Sequence, residues 1–125
     1  MLGAFPIIAF AATAHPPEAI RFYRDILGLR IVAEETYAVV FDSAGTMLRV
    51  AITRDVKPPP YTILGWRVPD ISAVVKSLAA AGVVMERYGF LQQDENGVWT
   101  SPGGGRVAWF KDPDGNLLSV TQFKD

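Results

Sequence analysis

The sequence predicts an α+β protein built from two βαβββ modules. A β-hairpin pattern occurs at residues 37–52 and again at 107–122, and the two copies match at an offset of 70 residues, the separation of Gly45 and Gly115. Before each hairpin lies a run with helical apolar spacing that ends at a glycine. Three consecutive prolines at 58–60 separate the halves. We therefore predict one domain over 1–125, with module 1 at about 5–53 and module 2 at about 61–124.

The elements of module 1 follow from local patterns. Residues 5–13 are apolar and rich in strand-forming types, so they predict the first strand. A His-Pro-Pro-Glu opening at 15–18 suits the first turn of a helix, and Gly28 ends it, which predicts a helix over 15–28. A strand at 29–33 and the hairpin at 37–53 complete the module.

Module 2 repeats this order with one insertion. We predict a strand at 61–68, a helix over 70–82, a short strand at 83–86 and the final hairpin around the Asp-Pro-Asp-Gly turn at 112–115. The helix-ending glycines, Gly28 and Gly82, lie only 54 residues apart, so the second half carries 16 more residues before its hairpin. These fall in the polar stretch 87–105, and loops of that length are usually functional lids or disordered segments.

Composition narrows the classes of function. The net charge is −1, with 12 basic and 13 acidic residues interspersed, so no basic face is available for a nucleic-acid partner. The chain has no cysteine, which excludes disulfides and thiolate chemistry. The apolar N-terminal run is too short to cross a membrane and lacks a basic leader. We therefore expect a cytoplasmic protein with neither a membrane nor a nucleic-acid partner.

Two motifs, in order within the doubled βαβββ pattern, resemble one family over essentially the whole chain. They are Phe-Tyr-Arg-Asp-Ile-Leu-Gly-Leu at 22–29 and Asp-Pro-Asp-Gly-Asn at 112–116. The family is the vicinal oxygen chelate superfamily, which includes glyoxalase I, bleomycin-resistance and fosfomycin-resistance proteins and extradiol dioxygenases. The resemblance implies a cupped mixed sheet with helices on its outer face and a small molecule or a metal in the cup. It also implies a homodimer, because exposed strand edges are commonly buried by pairing across a two-fold axis.

Enzymes of this family hold a divalent metal with His and Glu residues at four positions. By the resemblance, those positions fall here on Ile8, on Thr62 or Ile63, on Arg49 and on Ser119. None of these side chains is a ligand for Mn, Fe, Ni or Zn, and a guanidinium repels a cation. The single histidine, at position 15, has no ligand partners nearby in the sequence. We therefore expect no metal and no cofactor.

Arg49 is the main candidate for a ligand-binding residue. One face of this strand carries Met47, Arg49 and Ala51. The other face carries Leu48, Val50 and Ile52 and is more apolar, so Arg49 is expected to point into the cup. There it would bind a carboxylate, phosphate or enolate oxygen in place of the metal. The alternative is an Arg on the solvent side that forms a salt bridge with an acid such as Asp42 or Glu34, and an acidic neighbour of Arg49 in the structure would favour this alternative.

Three functions remain open from the sequence. The first is a small-molecule-binding protein of the bleomycin-resistance type, with an organic ligand that is either anionic or neutral. The second is a metal-independent or substituted-site lyase, isomerase or dioxygenase-like enzyme on a small oxygenated substrate, for which no catalytic residue is identified. The third is a protein whose cup is filled by core and that acts through its surface. Trp99, in the polar loop, is interpreted as a flap over the cup or as a contact of the dimer partner. The candidate ligand-binding residues are Phe10, Tyr37, Arg49, Trp99 and Ser119.

Overall fold

A computed structural model describes all 125 residues of the chain. They form two compact units, an N-terminal unit over Met1–Pro58 and a C-terminal unit over Pro59–Asp125. Each predicted module lies within one of these units.

The N-terminal unit is a four-stranded mixed sheet with one helix. Its strand order is β1-β4-β3-β2, with β1 parallel to β4 and the other pairs antiparallel. This arrangement confirms the predicted βαβββ order. The elements are β1 (Ile8–Thr13), α1 (Pro16–Ile20, which continues as a π-helix over Arg21–Ile26), β2 (Arg30–Glu34), β3 (Ala38–Ser43) and β4 (Thr46–Ile52).

The helix of this unit covers one face of its sheet. Tyr23 is fully buried, and its ring centroid lies 5.6 Å from that of Phe41 on β3. Cross-strand partners point to the same face of a sheet, so Leu48, the partner of Phe41, also lies on this side. Leu48 and Val50 are 3% and 0% exposed. The alternate residue Arg49 therefore belongs to the opposite face, as the apolar alternation predicts.

The C-terminal unit has the same topology, with strand order β5-β8-β7-β6 and β5 parallel to β8. Asp70 begins the helix by accepting a hydrogen bond from the Ala73 amide at 3.2 Å. Together the two units confirm the predicted α+β class with two βαβββ modules. The elements are β5 (Leu64–Arg67), α2 (Ile71–Ala80), β6 (Trp99–Thr100), β7 (Arg106–Lys111) and β8 (Leu117–Gln122).

The repeated hairpin is also confirmed. Gly45 and Gly115 both have positive φ, at 92° and 87°, which is the conformation that favours glycine at such a turn. In the second hairpin, Asp112 Oδ1 accepts hydrogen bonds from the amides of Asp114 and Asn116 at 3.0 and 2.9 Å. The Asp-Pro-Asp-Gly-Asn motif therefore fixes the turn between β7 and β8.

The prediction of a strand at 83–86 is wrong. Met85 makes only an isolated bridge to Phe110, and the edge strand of this sheet is β6, which follows the insertion. The outer edge of β7 consequently has two short partners. The amide of Glu86 donates to the Trp109 carbonyl at 2.8 Å, while β6 pairs further along at Arg106 and Val107.

Two predicted strands are shorter in the structure. Pairing of β1 starts at Ile8 rather than at residue 5, because Pro6 has no amide to donate and Leu2–Ala4 forms a 3₁₀ turn. The predicted strand at 61–68 is reduced to Leu64–Arg67, although Ile63 and Val68 still donate to carbonyls of the β8 strand. No helix of the chain is long and apolar enough to cross a membrane.

Candidate functional site

One candidate surface is the face of the N-terminal sheet opposite α1. Arg49 of β4 has Phe10 of β1 and Val40 of β3 as its cross-strand partners, so the three side chains share this face. Phe10 is 60% exposed, and Ile8 and Met47, the next partner pair, are 47% and 40% exposed. The β1 side of the face is thus an accessible apolar surface that contains one guanidinium, and it brings two of the candidate residues, Phe10 and Arg49, side by side.

Arg49 has an acidic partner, as the alternative interpretation of this residue expects, although the acid is neither of the two named from the sequence. Its Nη2 donates to Oε1 of Glu35 at 2.8 Å, while Asp42 faces Arg30 at 3.9 Å. The side chains of Arg49 and Glu35 are 32% and 50% exposed. An ion pair this accessible to water contributes at most about 1 kcal/mol, and a guanidinium offers five N–H donors, so an external anion can compete with Glu35.

Tyr37 lies just before β3 and is 81% exposed. Its carbonyl accepts a hydrogen bond from the amide of Ile52, at the end of β4. The backbone of Tyr37 therefore closes the end of the hairpin, and its ring stands at the surface of the unit.

A second candidate surface is the face of the C-terminal sheet opposite α2. Gln122 accepts a hydrogen bond from the Ile71 amide at 2.9 Å, and Arg106 donates to Ser72 at 3.4 Å, which identifies the α2 side of β7 and β8. The odd-numbered residues of β7 and β8 lie on the other side of the sheet, and they include the cross-strand pair Trp109 and Ser119.

Ser119 is 8% exposed and lies against a glycine of the neighbouring strand. A Cβ at Gly65 would stand 2.9 Å from Ser119 Oγ, closer than real Cβ contacts allow. The absence of a side chain at Gly65 therefore leaves the space that the hydroxyl occupies. The structure brings Ser119 beside Trp109, its cross-strand partner on β7.

The prediction that Trp99 lies in a loop is wrong. Trp99 is the first residue of β6, and its ring centroid lies 6.1 Å from that of Trp109, with an interplanar angle of 34°. Tyr88 meets Trp109 edge-on at 5.5 Å and contacts Phe90 at 5.7 Å. We call these four side chains, Tyr88, Phe90, Trp99 and Trp109, the aromatic platform.

Two charged side chains, Glu86 and Lys111, act on the hydroxyl of Tyr88. Burial raises the pKa of the Tyr88 hydroxyl, and the carboxylate of Glu86 raises it further, while the ammonium of Lys111 opposes them. Glu86 and Lys111 are themselves paired at 3.4 Å. Tyr88 is therefore a neutral phenol at physiological pH, a hydrogen-bonding group rather than a base.

The segment that carries Tyr88 and Trp99 is held by one side-chain amide. Gln93 Nε2 donates to the carbonyls of Glu86 and Gly97 at 3.0 and 2.7 Å, and its Oε1 accepts from the Tyr88 amide at 2.8 Å. Asp94 Oδ1 accepts from the Val98 amide at 2.9 Å. The long stretch at 87–105 is thus a hydrogen-bonded element that orients two rings of the platform.

The residues at the family's four metal positions do not fit a divalent cation. Ile8 pairs with Met47, and Ile63 donates its amide to the carbonyl of Leu117, so these two isoleucines occupy equivalent places in the two sheets. The other two positions hold the guanidinium of Arg49 and the hydroxyl of Ser119. No group of three or more His, Cys, Asp or Glu side chains is positioned to share a metal ion.

The sequence and the fold agree with a known family. A sequence profile of the Glyoxalase/Bleomycin resistance protein/Dioxygenase superfamily matches residues 7–120. The chain belongs to this superfamily. The resemblance stated from the two motifs is therefore confirmed, and with it the fold.

Solved structures of the superfamily cover more than nine-tenths of the chain at low sequence identity. A bleomycin resistance determinant encoded on the transposon Tn5 is 19% identical, with 97% of this chain and 99% of that chain covered and a TM-score of 0.75. A superfamily member from Sphaerobacter thermophilus is 21% identical, with 96% and 99% covered and a TM-score of 0.71. A lactoylglutathione lyase from Agrobacterium tumefaciens is 20% identical, with 93% and 92% covered and a TM-score of 0.70. No curated protein matches the chain.

Sequence reasoning missed four residues that the structure adds to these surfaces. They are Glu35, which pairs with Arg49, and the rings of Tyr88, Phe90 and Trp109. The Glu-Glu pair at 34–35 was a visible signal for the first, but which acid reaches Arg49 depends on the turn geometry. The spacing of two aromatics around Gly89 was a weaker signal, because it gives no indication that they lie beside β7.

Proposed function

We propose that this superfamily member binds a small organic molecule through an anionic group of that molecule, without a metal ion, and that Arg49 contacts the anion. The observation that carries the proposal is the position of Arg49 on the accessible apolar face of the N-terminal sheet, where its partner Glu35 is itself half-exposed. A guanidinium supplies the positive charge and directional N–H donors that a carboxylate or phosphate oxygen requires.

The surroundings of Arg49 favour an anion with an apolar body. Phe10 stands directly across from Arg49, and Ile8 and Met47 lie one pair further along the same two strands. An organic acid that places its oxygens on the guanidinium can cover this apolar surface, whereas an inorganic anion cannot. Removing such surface from water contributes about 25 cal/mol per Å².

The enzymatic alternative, a metal-independent lyase, isomerase or dioxygenase-like enzyme, requires an acid and a base near the ligand. Glu35 is engaged by Arg49, and Tyr88 is held in its protonated form by burial and by Glu86. A binding function requires neither an acid nor a base, so it is the function we propose. Turnover of a small oxygenated acid in the presence of a chelator would instead favour the enzyme.

We also propose that the protein is a homodimer and that it is cytoplasmic. The edge strand β1 and the segment that precedes it expose apolar side chains, with Leu2, Phe5 and Ile7 at 73%, 63% and 80% exposure. Burying these against a second copy would remove them from water. Light scattering at tens of micromolar tests this directly, and a monomeric mass would contradict it.

The binding proposal is tested with benzoate and its neutral counterpart benzamide, both added in the presence of EDTA. We expect benzoate to shift the amide resonances of Phe10 and Arg49 in a ¹H–¹⁵N spectrum and benzamide to shift them far less, because the two differ in charge rather than in shape. Equal effects of the two probes, or no effect of either, would overturn the proposal.

A further inference from the structure

We infer that the proline-rich segment between the two units is a docking site for a protein domain whose groove holds two adjacent prolines and a tyrosine. The segment has the sequence Lys-Pro-Pro-Pro-Tyr at 57–61 and joins the N-terminal unit to the C-terminal unit. We call residues 58–61 the proline–tyrosine motif. This inference goes beyond the anion site at Arg49 and does not depend on it.

The prolines fix the backbone of the motif. A proline ring holds its own φ near the polyproline II value, and it also restricts the residue before it to extended conformations. Lys57, Pro58 and Pro59 each precede a proline, so all three are held extended. In the structure, residues 55–59 belong to no helix, strand or bend, and the chain bends only at Pro60 and Tyr61, before β5. A polyproline II segment is a ligand that loses little conformational entropy when it binds.

The segment is anchored at both ends and unpaired between them. The amide of Thr53 donates to the carbonyl of Thr13, and the amide of Ile63 donates to the carbonyl of Leu117, both at 2.9 Å. No residue from Val56 to Thr62 forms a hydrogen bond or an ion pair within the chain. The backbone of the motif is therefore available to hydrogen-bond donors of a partner.

The side chains of the motif are also accessible. Tyr61 is 64% exposed, and its ring forms neither a hydrogen bond nor a ring contact within the chain. Pro58 and Pro60 are exposed, and Pro59 is half-buried. A tyrosine this open contributes little to the core, whereas tyrosines at protein interfaces are among the residues that contribute most to affinity.

The spacing of the motif decides which class of groove fits. Proline-rich ligands of SH3 domains carry two prolines three residues apart. Three residues after the prolines of this segment stand Tyr61, Thr62 and Ile63, so that spacing does not occur here. The order Pro-Pro-x-Tyr does occur, with Pro60 at the variable position. It matches WW domains of the class whose aromatic-lined groove takes two adjacent prolines and whose neighbouring pocket takes the tyrosine.

The experiment titrates the ¹⁵N-labelled full chain with two isolated, unlabelled domains. One is a WW domain that binds Pro-Pro-x-Tyr peptides, and the other is an SH3 domain that binds Pro-x-x-Pro peptides. We expect the WW domain to bind in the micromolar range and to shift the amide resonances of Lys57, Tyr61 and Thr62. We expect the SH3 domain to shift none of them.

Two substitutions within the motif test its register. Pro59→Ala and Pro60→Ala each remove one proline and so loosen the segment to a similar extent. Only Pro59 has its ring in the groove, because Pro60 occupies the variable position. We expect Pro59→Ala to bind the WW domain about five- to fifteenfold more weakly than Pro60→Ala, the effect of removing the buried ring methylenes.

A third substitution, Tyr61→Ala, tests the tyrosine. We expect it to weaken WW binding about tenfold or more, as the loss of an interface tyrosine does. The control is Tyr37→Ala, which removes another tyrosine, 81% exposed and outside the motif. It should bind the WW domain like the wild type. The ¹H–¹⁵N spectrum of each variant reports whether it is folded.

Four results would overturn the inference. They are no binding of the WW domain at millimolar concentration, equal binding of the SH3 domain, equal affinities of Pro59→Ala and Pro60→Ala, and unchanged affinity in Tyr61→Ala. Any of them would leave the prolines as a stiff connection between the two units and nothing more. The benzoate experiment at Arg49 is unaffected by these outcomes.

Discussion

Arg49 and Glu35 are fourteen residues apart in the sequence, and their Nη2 and Oε1 atoms are 2.8 Å apart in the structure. The pair lies on the sheet face away from α1 and is open to water on both sides. Glu35 therefore competes with any anion for the guanidinium. Substitutions in this pair consequently test the proposed function directly.

Replacing Glu35 by Gln should strengthen anion binding. The substitution removes the competing carboxylate and leaves the shape of the side chain, so we expect benzoate affinity to rise about two- to fivefold, in line with the strength of an exposed ion pair. Titration followed by ¹H–¹⁵N shifts measures it. Asp42→Asn, which releases Arg30 on the same sheet, is the matched control and should change nothing. Weaker benzoate binding in Glu35→Gln would mean that the carboxylate belongs to the binding site.

Gln93 should prove essential to the order of the platform. Gln93→Met preserves the length of the side chain but leaves the Tyr88 amide and the carbonyls of Glu86 and Gly97 without their partner. We expect a loss of about 1–3 kcal/mol in the free energy of unfolding, measured in urea, together with a weaker near-ultraviolet circular dichroism from the tryptophans. Gln92→Met, at the exposed neighbouring position, should be neutral. Equal effects of the two substitutions would count against this role.

Tyr88 should ionise above its ordinary pKa of 10.0, because burial and the Glu86 carboxylate disfavour the phenolate. The folded state then holds this proton more tightly than the unfolded state. The corresponding contribution to stability is complete below the pKa of the unfolded chain and disappears as the pH rises through the pKa of the folded chain.

The difference between the alkaline absorbance titrations of the wild type and Tyr88→Phe at 295 nm isolates this group from the other three tyrosines. Urea unfolding at a series of alkaline pH values should show the wild type losing stability relative to Tyr88→Phe. An ionisation of Tyr88 at or below its ordinary pKa would contradict the environment described for it.

The fold was predictable because its signals are local. The two hairpins are separated by a constant offset, Gly28 and Gly82 follow the two helices, and each of these patterns is read within about fifteen residues. Alternation along β4 likewise placed Arg49 on the correct face, since the side-chain period of a strand is two.

The details of the candidate surfaces depended on features without a local signal. The two-residue strand β6 is too short to show a period, so its edge position was assigned to residues 83–86 instead. The acid that reaches Arg49 depends on pairing between β2 and β3, where the register shifts between Ile31 and Ala33. A shift of that kind changes which side chain meets which, and it is not encoded in the alternation of apolar residues.

The central claim is that Arg49 supplies the electrostatic contact that the superfamily's enzymes obtain from a metal. The most direct measurement is the benzoate affinity of Arg49→Met and Arg30→Met in the presence of EDTA. Both variants lose one guanidinium with an acidic partner on the same sheet, Arg49 with Glu35 at 2.8 Å and Arg30 with Asp42 at 3.9 Å. We predict that Arg49→Met binds benzoate about 10- to 100-fold more weakly, the value of a charge-assisted hydrogen bond, and that Arg30→Met binds like the wild type. Unchanged affinity in Arg49→Met, or benzoate binding that appears only when Mn, Fe, Ni or Zn is added, would contradict the account.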